Sequence, residues 1–113
     1  MTRISRVMPD ATRRILTQLK AAFQAIYGPR LRGVYLFGSR ARGDAGAHSD
    51  LDVLVVLDHV GDYFAEVDRS GHVVSTLSLE HGISVSRIFV TETDWAVGES
   101  PFLTAVRREA IPA

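Results

Sequence analysis

The chain has 113 residues, 46% of them hydrophobic and 23% charged, with thirteen Lys and Arg balancing thirteen Asp and Glu. That length suits one domain, residues 1–113, and the even balance argues against a protein that grips long nucleic acid, because such binding displaces counterions with a basic surface. The lack of cysteine excludes disulfides, thiolate metal sites and cysteine nucleophiles. No apolar run approaches the ~20 residues of a membrane span, and the start, with Arg3, Arg6, Arg13 and Arg14, does not read as a secretory signal. A cytoplasmic protein without a membrane partner is expected.

Residues Asp10 to Tyr27 carry Ile15, Leu19, Ala22, Phe23 and Ile26 at three- and four-residue steps, which predicts an amphipathic helix. Asp10 is expected to cap its first turn and Gly28-Pro29 to end it. Val34-Tyr35-Leu36-Phe37 reads as a short central strand, apolar on both faces. From Gly38 to Ser49 the chain is a turn with one helical turn after Ser39. Leu51 to Leu57 is a second strand, interrupted only by Asp52. Asp58 to Gly82 suits a second helix with Tyr63, Phe64, Val67, Val74 and Leu77 on one face, although Gly71 costs it about 1 kcal/mol relative to alanine. Ile83 to Val90 alternates as a third strand. Thr91 to Asp94 can cap a short helix through Trp95, and Ser100-Pro101 opens a last one. The fold class is α/β (α+β), a small mixed sheet of about three strands packed with helices.

Two features carry chemistry. Asp50 and Asp52 stand two residues apart at a strand start, so their side chains share one face. Their mutual repulsion suits a hard dication: Mg²⁺ takes one or two carboxylates and fills its other positions with water and phosphate. Gly38, at the end of a buried strand, allows a sharp turn and close approach to a ligand. The amide and hydroxyl of Ser39 can donate to phosphate at a helix start. Arg40 and Arg42 follow, either to neutralise phosphate charge or as plain surface arginines of the loop. A paired Asp-x-Asp alone is commonly just a solvated strand edge; its spacing from Gly38-Ser39 makes it specific. Ser39 has no suitable His-Asp pair for hydrolase chemistry, and His48 is a lone loop histidine.

The segment Gly38-Ser39-Arg40-Ala41-Arg42-Gly43-Asp44-Ala45-Gly46-Ala47-His48-Ser49-Asp50-Leu51-Asp52 resembles the GS…DxD signature of the DNA polymerase β-like nucleotidyltransferase superfamily. Its spacing is that of the minimal branch, the MNT domains. The resemblance implies transfer of a nucleoside monophosphate from an NTP, AMP from ATP foremost, to an acceptor hydroxyl. Gly38 and Ser39 would bind triphosphate, with Arg40 and Arg42 beside them. Asp50 and Asp52 would be catalytic and would ligate Mg²⁺ or Mn²⁺. It also points to MNT–HEPN toxin–antitoxin pairs, so the expected partner is a HEPN-type toxin or a second copy of this chain.

The family's full set has a third carboxylate on a neighbouring strand. The candidate strand, Ile83 to Val90, has none; Ser84 or Ser86 takes the place, and Glu80 and Glu92 lie outside it. Two readings therefore stay open. One is an active transferase acting on a protein or small-molecule hydroxyl. The other is a catalytically weakened module of the same fold that acts by contact.

Overall fold

The computed structural model describes residues 8–46 and 48–113. Helix α1 (Asp10–Tyr27) leads through a 3-10 turn (Gly28–Arg30) into strand β1 (Leu31–Phe37). A four-residue helix α2 (Ser39–Arg42) follows at once, and after a loop comes β2 (Leu51–Leu57). Helix α3 (Tyr63–His81) crosses to β3 (Val85–Thr91), and α4 (Glu92–Val97) and α5 (Pro101–Glu109) precede a short β4 (Ile111–Pro112). The sheet order is β3-β2-β1-β4. β1 runs antiparallel to β2 and β4, whereas β2 and β3 are parallel. A parallel pair needs a crossover, which α3 supplies.

Alternation along the strands divides the core into two layers. Leu36, Leu51, Val53, Val55 and Leu57 face α1 and α3, where Ile15, Leu19, Phe23, Val74 and Leu77 meet them. Phe37, Leu54 and Val56 face the other way, with Val106 of α5 and the partly buried Trp95 of α4. Leu19, Phe23, Leu36 and Leu54 are fully buried, each worth roughly 1.5–3 kcal/mol by transfer from water. β2 is thus covered on both faces, which is why its sequence reads as an almost unbroken apolar run.

Several local expectations need correction. α1 has the predicted bounds, but Pro9 stands at its N-cap and no side chain caps it; Asp10 is its first residue. The second helix begins at Tyr63, not Asp58, because Asp62 caps it by accepting from the N–H groups of Phe64 and Ala65. Phe64 does not join its inner face and is exposed, while Glu66 and Ser70 are buried there instead. Gly71 is accommodated in mid-helix, with Arg87 beside it. The first strand starts earlier and the third later than the apolar runs suggest, and β4 adds a fourth strand too short to read from sequence. Thr91 and Ser100 cap α4 and α5 as expected. Among the described residues no helix is long and apolar enough to cross a membrane.

Candidate active site

The C-terminal end of β1 and the N-terminal ends of β2 and β3 lie together at one end of the sheet. Phe37 pairs with Asp52 across β1 and β2, so Gly38 turns away beside that carboxylate. Gly38 has φ +79°, and an ideal Cβ on it would fall 2.2 Å from Oδ2 of Asp52. Only glycine fits there, for backbone and for space. Its carbonyl accepts from the N–H groups of Ala41 and Arg42 at 3.0 and 3.1 Å, which winds α2. Ser39 opens that helix, and its carbonyl accepts from Gly43 and Asp44 as the helix ends at a left-handed Gly43.

The loop back to β2 is braced from within. Arg40 directs Nε and Nη2 to the carbonyl of Ser49, at 3.1 and 2.7 Å. Ser49 Oγ accepts from Gly46 N–H at 2.9 Å. Leu51 N–H then bonds the Ser84 carbonyl at 2.9 Å, tying the strand start to β3. Asp50 is therefore delivered one residue before β2, exposed, from a loop whose last turn Arg40 holds. Arg40 has a structural task that the sequence does not reveal. His48 is exposed in this loop, and Ala47 lies outside the described residues.

Asp52 projects on the α5 side of the sheet, in line with Leu54 and Val56. Burial, then the charges of Asp50 and Glu109, push its carboxyl above the usual range, against the pull of Arg42 and Arg40. Beside it on β3 is Ser86, its register partner, so the neighbouring strand offers a hydroxyl where a carboxylate was sought. Glu92 is turned to Arg32 at 3.7 Å.

The residue that sequence reasoning missed is Glu109, the last of α5. Its carboxylate accepts from Gly38 N–H, although 71 positions separate the two in the chain, and from Arg42 Nη1 at 3.2 Å. Arg42 also contacts Asp44 at 3.3 Å. A signal was present: an acid in the last turn of a helix opposes the helix dipole and needs a partner.

Among the described residues no group of three or more His, Cys, Asp or Glu is arranged to hold a metal ion. The donor set still fits a hard dication, since Asp50 and Asp52 are close enough for one charge to raise the other's pKa, and such an ion needs only one or two carboxylates. A cavity of about 370 Å³ lies behind α2, lined by Thr12, Arg40, Arg42 and Ile111 among others; neither aspartate lines it.

A glycine is pinned against one aspartate, and a second aspartate stands two residues before it on a braced loop. The sequence profile described as "Nucleotidyltransferase domain" matches residues 14–95. The chain belongs to this nucleotidyltransferase domain family. Two relatives from Methanocaldococcus jannaschii, each named as a candidate protein adenylyltransferase, are 34% identical over 71 residues and 33% over 79. These alignments take in 63% and 70% of this chain and span 65% and 79% of the relatives. A candidate nucleotidyltransferase of Sulfolobus solfataricus has the same fold, with TM-score 0.58 and 24% identity over 96% of this chain and 87% of its own. A toxin–antitoxin structure solved with AMP-PNP matches with TM-score 0.57 and 19% identity, over 83% of this chain and 68% of its own.

Proposed function

We propose that this protein is a metal-dependent nucleotidyltransferase that moves AMP from ATP to a hydroxyl of a protein or small molecule. The observation that carries this is the contact of Asp52 with Gly38, with Asp50 adjacent. It sets two carboxylates beside a backbone turn whose N–H faces an anion.

Asp50 and Asp52 would hold Mg²⁺ or Mn²⁺, which when bound neutralises phosphate charge and activates the attacking oxygen. Gly38 and Ser39 would seat the triphosphate. The acceptor hydroxyl gives its proton to solvent as its oxygen bonds to the α-phosphorus, the bond from that phosphorus to the bridging oxygen breaks, and pyrophosphate leaves with the electron pair. Arg42 would meet the charge that builds on the leaving group. Arg40 serves the reaction indirectly, by holding the loop that presents Asp50. The 113 residues would act as one unit, with the acceptor held by another chain. The names of the M. jannaschii relatives support a protein acceptor, and the toxin–antitoxin neighbour supports a protein partner. A HEPN-type toxin is the partner we favour, in the cytoplasm.

The second reading, a module acting by contact with little turnover, is favoured by Ser86 beside Asp52. The two separate in one experiment. α-labelled ATP, Mg²⁺ or Mn²⁺ and the candidate protein partner are incubated with wild type and with Asp50→Ala/Asp52→Ala. Label on the partner that the double variant fails to add supports the transferase. No label in either, with the partner still bound, supports the module.

A further inference from the structure

The donors assigned above to phosphate are already engaged by this chain. Glu109 takes the Gly38 N–H and lies 3.2 and 3.3 Å from Nη1 of Arg42 through its two oxygens. Arg42 favours a carboxylate there, but two other features oppose it. It sits at the negative end of α5, and its charge works with that of Asp50 against ionisation of Asp52. The Gly38 N–H and the Arg42 guanidinium that hold it are both of the kind that bind a phosphate oxygen.

We propose, resting on the nucleotide site described above, that Glu109 is an internal occupant of the phosphate seat: it competes with the triphosphate for Gly38 N–H and Arg42 and so sets the affinity for nucleotide.

The backbone around Glu109 is fixed. Ala110 N–H bonds the Val106 carbonyl at 2.8 Å, and Ile111 then pairs with Leu36 of β1. The seat therefore opens by rotation of one side chain and leaves α5 in place. Arg40 is held on the Ser49 carbonyl through Nε and Nη2, so Arg42 is the arginine that meets Glu109. When a competent state is populated only part of the time, apparent affinity falls by that fraction. A seat free one-tenth of the time weakens ATP binding about tenfold.

The test is calorimetric titration of ATP with Mg²⁺, and of adenosine, into wild type, Glu109→Gln, Glu109→Ala and Ser39→Ala. Glu109→Gln keeps the shape and drops the charge; it is expected to bind ATP roughly tenfold more tightly and adenosine no differently. Equal or weaker ATP binding by folded Glu109→Gln and Glu109→Ala overturns the proposal. If Ser39→Ala also weakens binding in that case, the nucleotide site stands and Glu109 merely supports it. No ATP binding by wild type or any variant overturns the site and the proposal together. An arm without variants guards against misfolding: the ¹³C shift of the wild-type Glu109 carboxylate should move when ATP saturates the protein. A resonance that stays still under saturating ATP overturns the proposal.

Discussion

Oδ2 of Asp52 occupies the space that a side chain on Gly38 would need, 2.2 Å from the ideal Cβ position. The contact joins the end of β1 to the second residue of β2 and makes the turn and the carboxylate one unit. Gly38→Ala has two faults, a left-handed backbone at φ +79° and a collision with Asp52. The strain costs about 1–3 kcal/mol. The expected variant is folded, melts several degrees lower, and has lost nucleotide binding. A variant with wild-type ATP affinity would show that this turn does not seat phosphate.

Arg40 and Arg42 look alike in sequence and differ in the structure. Arg40→Ala removes a cationic donor pair from the Ser49 carbonyl, a loss of about 1.5–3 kcal/mol at most. Hydrogen exchange should rise at Ser49 and Gly46 while the sheet amides remain protected. Arg42→Ala should leave that loop protected and weaken ATP binding. Identical exchange patterns in the two variants would remove the distinction.

Ser86 offers a gain-of-function test. It is the register partner of Asp52 on a parallel neighbour, about 4.8 Å away by strand spacing. Ser86→Asp should tighten Mn²⁺ binding by roughly tenfold, since each added carboxylate raises affinity for a hard cation. Without metal it should melt lower than wild type, because a further negative charge joins Asp50, Asp52 and Glu109. Unchanged Mn²⁺ affinity would place Ser86 outside the metal site.

Away from the site, Glu66 is buried in α3 and bonded by Arg69 at 3.1 Å and Arg30 at 3.2 Å. Burial alone would raise its pKa, but hydrogen bonds from Arg69, Arg30 and Tyr27 outweigh it and hold the carboxyl below its usual range. A depressed folded pKa means the stabilisation is complete above the unfolded value, about 4.3, and fades as pH falls through the folded one. Glu66→Gln should cost about 1.5–3 kcal/mol at pH 7, with the gap to wild type closing below about pH 4. Denaturant titrations at both pH values measure this. An equal deficit at low pH would assign the loss to packing.

Much of the fold can be read from the chain because its signals are local. The stripe from Ile15 to Phe23, the caps at Thr91 and Ser100, and the glycine after Phe37 each act within a few residues. The two aspartates and Gly38-Ser39 were legible for the same reason, since one short loop joins them. Phe64 misled the reading of α3 because Glu66 is buried there instead, paired with Arg69 of the same helix and with Arg30 from the turn before β1. Glu109 announces only that it needs a partner, as an acid in a helix's last turn; which partner depends on α5 packing on the Leu54 and Val56 face before its last residue reaches Gly38. Arg40's link to Ser49 likewise depends on how the loop closes.

The central claim, that Gly38, Ser39, Asp50 and Asp52 bind a nucleoside triphosphate through a dication, is tested most directly by titrating ATP into wild type and Asp50→Asn/Asp52→Asn, each with Mg²⁺ and with EDTA. The expected result is saturable binding by wild type with Mg²⁺, weakened at least tenfold by chelation and by the double substitution alike. Equal affinity in all four titrations would contradict it.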